Sequence, residues 1–364
     1  IRDLVRSLGS EMCIRDRYKA IVGKLNKSRA VKVAVDIPTG LDADKGYGDT
    51  IFKSDLTITL GEFKKGLFFS DGSANSGKIV KGEIGISSSF YEKTETTDFI
   101  IEPEDVFSIL PEKQKKIHKY SAGKVLNIAG SGKLPGAAVL TSKASLKIGA
   151  GSSILAFPES VRKFVQKKLT EVIVETYEDK GKEFFSKENL QDLKGRIKWA
   201  DVLAVGPGLG RDKQTVEVLF ELFKSTPSKF KIIDADGLYA INERFQQLNL
   251  KKAVFTPHLG EFSALIGVSI EVLKKDILKY GKEFASETES HLVLKGAPTI
   301  IFLPSGEALI NSTGNPGMAK FGTGDVLTGV IAGLLAQTKD PEKAVIAGVY
   351  LHSLSADLLL RKYT

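Results

Sequence analysis

Short aliphatic runs that alternate with helical segments are the feature that most constrains the fold of this chain. Between residues 125 and 296 these runs are VLNIAG, SSILAF, VIVETY, DVLAVG, KIIDADG, AVFTPH and HLVLKG. Continuous apolar strands separated by helices are typical of a mainly parallel sheet that is covered on both faces. Two later segments, TIIFLP and GEALINS, predict an antiparallel hairpin across the dipeptide SG. The sequence therefore predicts an α/β fold with a mainly parallel central sheet.

The composition argues against several classes of protein. The 364 residues carry a formal charge of +8, but Lys and Arg are scattered among Asp and Glu. Such a balance predicts no nucleic-acid partner and would suit an anionic, phosphate-bearing substrate. The single cysteine, Cys13, provides neither a disulfide framework nor a cysteine metal site. We find no apolar run of about 18 residues and no signal peptide, which predicts a cytoplasmic protein without a membrane partner.

The chain divides into three parts by sequence pattern. Residues 1–17 include SLGSEMCIRDR, which resembles translated sequencing-adaptor contamination, and we treat this segment as non-native. Residues 18–95 contain the strand-like runs VKVAVDIPTG, SDLTITLG and KIVKGEIGI. A polar, charged stretch between about Ser87 and Lys119 predicts a linker and a domain boundary. Residues 96–364 then form the second domain.

Glycines and acids follow the predicted strands of the second domain. The segments are SGKLPGAA, PGLGRD, ADGL, PHLGE, APT and NPGMAKFGTGD. Ligands of parallel sheets bind at the carboxyl ends of the strands, so these segments are expected to converge. We find no GxxxxGK[ST] P-loop, and GPGLG lacks the context of a dinucleotide fingerprint. The nucleotide site is therefore predicted to be of another kind.

The segment GTGD directly precedes the helical pattern VLTGVIAGLL. It brings free backbone N–H groups and the positive end of a helix to one place, which predicts an anion hole for a transferring phosphoryl group. Asp325 would be the base that takes the proton of the attacking hydroxyl. A simpler interpretation is a helix cap with turn glycines. The helix is predicted to face the sheet with one apolar stripe, consisting of Val326, Leu327, Val330, Ile331, Leu334 and Leu335.

These motifs carry a family resemblance. From about Lys119 onward, GKVLNIAGSGKLPGAAVLTSKASLKIGAG, VGPGLG, DADGL, TPHLGE, LKGAPTII and NSTGNPGMAKFGTGDVLTGVIAGLLAQ resemble the ADP-dependent NAD(P)H-hydrate dehydratases of the ribokinase-like superfamily. The earlier VAVDIPTGLDADKG and TITLGEFKKGLFF resemble the last part of an NAD(P)H-hydrate epimerase domain. The resemblance implies a ribokinase-like three-layer αβα domain, preceded by a partial Rossmann-like epimerase fragment.

The resemblance also implies a reaction. In that family a nucleotide phosphorylates the hydroxyl of hydrated NADH or NADPH, and phosphate is then eliminated to restore the reduced cofactor. The implied donor is ADP with Mg²⁺, giving AMP and phosphate, and the implied assembly is a homo-oligomer, either a tetramer or an octamer. The epimerase remnant would bind K⁺.

The matching motifs show which positions of this sequence correspond to the site residues of the family. Asp325 matches the substrate-contacting acid, and Gly322, Thr323 and Gly324 match the anion hole. The implied contacts to hydrated NAD(P)H are Ala137 (chosen over Ala138), Gly208, His258, Asp325 and, in the epimerase remnant, Asp36. The implied nucleotide contacts are Lys295, Gly296, Ala297, Pro298, Thr299, Asn315, Pro316, Gly317, Met318, Ala319, Lys320, Phe321, Gly322, Thr323 and Gly324. Asp234 and Asp236 are candidates to organise the site or Mg²⁺, and Thr39 matches a potassium ligand.

Other interpretations stay open. His258 could simply cap the following helix, and Lys295 could be a solvated strand-end residue. Trp199, His118, His291 and His352 are expected to be packing or surface residues. Because the upstream phosphate loop of an epimerase is not present, we expect no epimerase activity. The resemblance also predicts that the C-terminus is truncated, since the family continues with a further helical segment. The rival functions are a ribokinase-like kinase of a vitamin-precursor alcohol and an inactive nucleotide-binding remnant.

Overall fold

A computed structural model describes two compact units, which meet in sequence between Thr96 and Thr97. The described residues are 16–91, 95–113, 115–116, 118, 121–242 and 244–363. Most of the predicted non-native segment, including Cys13, lies outside them.

The first unit is a small parallel sheet. Its strands are β1 (Val33–Val35), β2 (Leu56–Leu60) and β3 (Lys78–Gly82), in the spatial order β1-β2-β3. Residues 16–26 form α1, and the other helical segments are Lys65–Leu67 (3-10), α2 (Ser70–Asn75) and α3 (Ser88–Tyr91). All three predicted strands are therefore confirmed. Strand β1 lies at an edge, with Val33 and Val35 exposed.

The second unit contains one ten-stranded sheet in the order β4-β13-β12-β11-β10-β9-β8-β5-β6-β7. Only β12 runs against its neighbours, since every other pairing is parallel. The predicted parallel sheet and the predicted hairpin are both confirmed. The strands are β4 (Asp98–Ile101), β5 (Lys124–Ile128), β6 (Ser152–Pro158), β7 (Ile173–Tyr177), β8 (Val202–Val205), β9 (Phe230–Ile233), β10 (Ala253–Phe255), β11 (His291–Leu294), β12 (Ile300–Phe302) and β13 (Ala308–Asn311).

Helices connect these strands and cover the sheet. They are α4 (Pro103–Ile109), α5 (Pro135–Lys147), α6 (Arg162–Gln166), α7 (Lys187–Asp192), α8 (Lys194–Trp199), α9 (Lys213–Ser225), α10 (Asp236–Ile241), α11 (Leu259–Ile266), α12 (Ile270–Lys275), α13 (Ile277–Thr288), α14 (Thr323–Thr338) and α15 (Pro341–Tyr363). Three 3-10 turns lie at Glu159–Val161, Phe245–Gln247 and Pro316–Met318. In β8, Val202 and Ala204 belong to the cluster around α14, while Leu203 and Val205 are equally buried. Because neighbouring residues of a strand face opposite sides, both faces of the sheet are covered.

The predicted linker is partly wrong. Within Ser87–Lys119, β4 joins the large sheet by pairing in parallel with β13, and α4 packs against α15. The Glu102 side chain caps α4 in a capping box with Asp105. A four-residue strand inside a polar stretch carries little signal of its own, because its pairing partner lies about 200 residues further along the chain.

Helix α14 lies at the centre of the packing and is more deeply buried than a single apolar stripe implies. Every residue from Leu327 to Ala336 is buried. Two glycines let α5 approach closely: a Cβ on Gly329 would lie 2.2 Å from the Thr141 carbonyl oxygen, and one on Gly333 would lie 2.4 Å from that of Ser145. The start of α14, where Asp325 lies, is therefore held rigidly.

Among the described helices, α15 is the one that is long and apolar enough to pass a membrane-span test by length and composition. The helix is not an uninterrupted apolar run, because Glu342, Lys343, His352 and Asp357 lie within it. Packing explains the apolar character of the first part of this helix, since Ala344, Val345, Ala347, Val349 and Tyr350 belong to the core cluster around α14, while Leu358, Leu359 and Leu360 near its end are exposed.

Two histidines make the second unit sensitive to acid. Burial lowers the pKa of His291 to about 4, against a weak opposing effect of Asp340, and burial also lowers the pKa of His352 to about 4. Unfolded histidines bind a proton below a pH of about 6.5. Between pH 6.5 and 4 these histidines therefore bind protons in the unfolded chain but not in the folded one. The free energy of unfolding falls as the pH is lowered through this range.

We expect His291→Gln to reduce that loss of stability. The test is urea unfolding at pH 7 and pH 4.5, with His118→Gln, at an exposed site, as the matched control. An unchanged pH difference in His291→Gln would contradict the assignment.

Candidate active site

The start of α14 forms the centre of the candidate site. Gly322 precedes the helix in a left-handed conformation with φ of +91°, and a Cβ there would lie 2.6 Å from Cδ1 of Leu140 on α5. Thr323 and Gly324 open the helix, and Asp325 follows in its first turn, half-buried. The predicted glycine turn, Gly322–Gly324, therefore directs backbone N–H groups away from a helix N-terminus, as anion holes require.

Lys295 lies against this turn. A Cβ on Gly324 would be 3.3 Å from the Lys295 Nζ. The ammonium donates to Oδ1 of Asp234 at 2.8 Å and lies 3.8 Å from Oε2 of Glu261. Thr328, one turn into α14, donates its hydroxyl to Oδ2 of Asp234 at 2.7 Å. One lysine and three carboxylates therefore lie together: Asp234 follows β9, Lys295 follows β11, Glu261 lies in the first turn of α11 and Asp325 in the first turn of α14.

Electrostatics within this cluster change two pKa values. Burial raises the pKa of Asp325, the negative charge of Asp234 raises it further, and Lys295 partly opposes both effects. Burial alone would lower the pKa of Lys295, but the carboxylates of Asp234, Glu261 and Asp325 more than offset this and hold it above its usual value. Lys295 therefore stays charged at neutral pH, and Asp325 binds a proton more readily than an ordinary aspartate, as a general base should.

Gly208 and Ala137 lie side by side at the same sheet edge. Gly208 has φ of +67°, and a Cβ there would lie 2.9 Å from the Ala137 Cβ. The Ser131 hydroxyl donates to the Gly208 carbonyl at 2.9 Å and ties the two loops together. Of the two alanines considered from the sequence, both of which lie on α5, Ala138 is fully buried against Gly130, which leaves Ala137 as the one next to the Gly208 loop.

His258 caps α11. Its Nδ1 accepts from the amides of Gly260 and Glu261 at 3.0 and 3.1 Å, and Glu261 completes a capping box. The structural interpretation of His258 is therefore confirmed, and it leaves a substrate role open. Because Nδ1 is an acceptor, Nε2 carries the ring proton, and the side chain is mostly exposed. His258 also pairs through its backbone with Lys295, which places its ring beside the cluster.

The two predicted nucleotide segments both reach this edge. Residues 295–299 continue from β11, and Thr299 donates to the Gly296 carbonyl. In the second segment, Asn315 donates to Oδ1 of Asp357 on α15 at 2.8 Å and accepts from the Gly317 amide. The second segment is thereby anchored at its beginning, while its last residues before the glycine turn, Lys320 and Phe321, are exposed.

The carboxylates of Asp234 and Asp236 both accept hydrogen bonds from protein donors, and their role towards Mg²⁺ stays a prediction. The oxygens of Asp234 accept from Lys295 and Thr328, and those of Asp236 accept from the Gly210 amide and Arg211 Nε. Within the described residues, no group of three or more His, Cys, Asp or Glu side chains is placed to hold a metal ion. The two aspartates fix Lys295 and the glycine loop after β8.

The first unit holds Asp36 and Thr39. Asp36 has a positive φ of 68°, and its carboxylate accepts from the Lys64 ammonium and the Leu60 amide. The hydrogen bond from Lys64, followed by that from Leu60, lowers the pKa of Asp36. Thr39 is exposed and its carbonyl accepts from the Phe52 amide. The potassium and substrate roles of these residues stay predictions.

Sequence reasoning missed several members of the site. Glu261 and Thr328 were not singled out, although a capping-box glutamate and a threonine one turn after Asp325 are both visible as spacing signals.

The Thr323 hydroxyl is buried and has no hydrogen-bond partner in the described part of the chain. Ala235, between Asp234 and Asp236, has φ of +48° and ψ of −115°, a strained conformation of the kind found at functional sites.

The chain is similar in sequence to known proteins over most of its length. A model of the NAD(P)H-hydrate dehydratase family matches residues 125–364, and a model of the YjeF-related protein N-terminus matches residues 6–66. The bifunctional NAD(P)H-hydrate repair enzyme Nnr of Moorella thermoacetica is 36% identical over 347 residues, which cover 94% of this chain and 65% of that enzyme. Its counterpart from Vibrio cholerae is 33% identical, covering 98% and 70%.

Solved structures resemble the second unit. A ribokinase-like superfamily protein from Enterococcus faecalis is 29% identical with a TM-score of 0.65, covering 74% of this chain and 90% of that protein. An ADP/ATP-dependent NAD(P)H-hydrate dehydratase from Bacillus subtilis, crystallised with ATP and Mg²⁺, is 30% identical with a TM-score of 0.60, covering 73% and 91%. The predicted ribokinase-like αβα fold is thereby confirmed.

The chain spans 65% of the length of the M. thermoacetica relative and the same share of the relative from Thermofilum pendens. Since the dehydratase model matches more than half of the chain, this protein belongs to the NAD(P)H-hydrate dehydratase family.

Proposed function

We propose that the second unit dehydrates the S-epimer of hydrated NADH or NADPH, with ADP as the phosphoryl donor. The observation that carries this proposal is the meeting of a helix N-terminus, a half-buried lysine paired with a buried aspartate, and a second aspartate with a raised pKa at one sheet edge. Family membership supplies the reaction class, and the B. subtilis neighbour is described as using ADP or ATP.

The first step is phosphoryl transfer. The ring hydroxyl gives its proton to the Asp325 carboxylate, and its oxygen attacks the terminal phosphorus of the donor. The bond from that phosphorus to the bridging oxygen breaks, and AMP leaves. The glycine turn and the Lys295 ammonium stabilise the negative charge on the transferring group. Mg²⁺ would enter with the phosphates of the nucleotide, and we assign it no ligand in the chain.

The second step is elimination. The carbon–oxygen bond at C6 breaks with its electron pair going to phosphate, the proton of C5 is taken up by the departing phosphate, and the electron pair of the C5–H bond forms the double bond of the reduced nicotinamide. Hydroxide is a poor leaving group and phosphate is a good one, so phosphorylation makes this step possible. A ribokinase-like kinase would stop after the first step and release a stable phosphate ester.

The test of this function incubates purified chain with hydrated NADH and ADP, ATP or no nucleotide. We expect the absorbance band of reduced nicotinamide to return only with a nucleotide, with AMP as the product from ADP. Accumulation of a phosphorylated ring without that band would favour the kinase, and no reaction with any donor would favour the inactive remnant. We also propose that Asp36 contacts the substrate in an epimerase-type site of the first unit and that the protein assembles as a homo-oligomer.

A further inference from the structure

Thr328 carries a buried hydroxyl that the proposed reaction does not use. The residue is fully buried and lies one turn after Asp325 on α14. A threonine inside a helix commonly donates to the carbonyl four residues before it, as Thr141 on α5 does to Ala137. Thr328 instead donates its hydroxyl hydrogen to Oδ2 of Asp234 at 2.7 Å. The helix that carries the proposed base is therefore tied to the residue that follows β9.

The carboxylate of Asp234 is shared between two donors. Its Oδ1 accepts from the Lys295 ammonium at 2.8 Å, while its Oδ2 accepts from Thr328, and the residue is only 1% exposed. A carboxylate held at one oxygen can turn about its Cβ–Cγ bond, but one held at both oxygens cannot. The ammonium therefore stays on the Oδ1 side, where Nζ lies 3.3 Å from the place of a Cβ on Gly324.

The ammonium of Lys295 needs such a fixed acceptor. Its Nζ also lies 3.8 Å from Oε2 of Glu261, and the negative charges of Glu261 and Asp325 both act on it. A lysine ammonium is a point charge on a flexible four-carbon stem, so the side chain does not by itself choose among these carboxylates. The orientation of Asp234 decides where the positive charge lies.

We propose that Thr328 is a positioning residue, which through Asp234 holds the Lys295 ammonium against the glycine turn, where the ammonium binds the terminal phosphate of the nucleotide. This inference rests on the proposed function, which places that phosphate at the turn. Without the Thr328 hydroxyl, the Asp234 carboxylate turns and offers both oxygens to the ammonium. Lys295 is then drawn away from Gly324 and from the phosphate.

Thr328→Val keeps the β-branched shape of the side chain and removes the hydroxyl. ADP carries the terminal phosphate and AMP lacks it, so calorimetric titration of both nucleotides isolates the contact with Lys295. We expect the Kd for ADP to rise about tenfold, the lower end of what a hydrogen bond to a charged group contributes, and the Kd for AMP to change less than about twofold. Turnover of hydrated NADH should fall by a similar factor. Thr328→Ser restores the donor and should bind ADP nearly as the parent chain does.

The matched control is Thr215→Val on α9, a helix that carries none of the candidate site residues. Thr215 is equally buried and donates to the Phe185 carbonyl at 2.9 Å. Its loss should leave both Kd values unchanged. If Thr328→Val does not fold, Thr328→Cys takes its place, since a thiol is a weak donor, and the same two Kd values decide.

A role of Thr328 in folding alone would weaken ADP and AMP binding together. The inference is overturned if Thr328→Val binds ADP as the parent chain does, or if AMP binding weakens as much as ADP binding. A selective loss of ADP binding in Thr328→Val, without turnover of hydrated NADH by the parent chain, would support the inference and remove the proposed function alone.

Discussion

Asp325→Asn is expected to lower the turnover of hydrated NADH by roughly 100- to 10,000-fold, the usual contribution of a positioned general base. The amide cannot accept the hydroxyl proton, yet it keeps the shape of the side chain in the first turn of α14. Nucleotide binding should therefore stay within about twofold of the parent chain, because the glycine turn and Lys295 remain. Steady-state turnover and calorimetric titration of ADP measure the two quantities.

The pH dependence of the reaction gives this prediction a second readout. Asp325 must be ionised to act, and its pKa is raised, so kcat/KM should fall on acidification at a higher pH than for an ordinary aspartate. Asp234→Asn removes the nearby negative charge, and we expect it to shift this acid limb to lower pH. Asp276→Asn, an exposed aspartate at the start of α13, is the matched control and should change nothing. Equal turnover in Asp325→Asn and the parent chain would exclude Asp325 as the base.

Lys295→Met is expected to destabilise the second unit by about 3–5 kcal/mol, the usual effect of removing one partner of a buried ion pair. Asp234 is almost fully buried, and without Lys295 its charge would keep only the hydrogen bond from Thr328. The double variant Lys295→Met with Asp234→Asn no longer buries a lone charge, so most of the stability should return. Urea unfolding of the two single variants and the double variant gives the coupling energy.

A surface pair provides the comparison for that cycle. Lys251 and Glu289 form an ion pair in which both side chains are more than half exposed. Lys251→Met should therefore cost less than about 1 kcal/mol. If the double variant at Lys295 and Asp234 is as unstable as Lys295→Met alone, the instability of Lys295→Met does not come from an unpaired charge on Asp234.

The sheet could be predicted from the sequence because its strands are buried on both faces and therefore appear as continuous apolar runs. Strand β4 could not, since DFII is short, lies between polar segments and pairs with β13 across most of the chain. The depth at which α14 is buried was also missed. Its close approach to α5 depends on Gly329 and Gly333, and an apolar pattern on one face does not show it.

The site was predictable to a similar extent. Glycines and acids at strand ends predicted a site at one edge of the sheet, and Asp325, Lys295 and His258 do lie close together there. The contacts that decide their chemistry were not readable, because Lys295 and Asp234 are 61 residues apart and Thr328 and Asp234 are 94 residues apart. His258 shows a second limit of sequence reasoning. A helix cap and a substrate contact would both place a histidine at this position, so the sequence does not distinguish the two roles.

An oxygen-18 label shows directly whether the ring hydroxyl leaves as part of a phosphate group. Hydration of NADH in H₂¹⁸O places the label in the C6 hydroxyl, and mass spectrometry follows it after turnover with ADP in unlabelled water. We expect one labelled oxygen in each molecule of inorganic phosphate, because the C6–O bond breaks after the O–P bond has formed. Label released as water, with unlabelled phosphate, would contradict it.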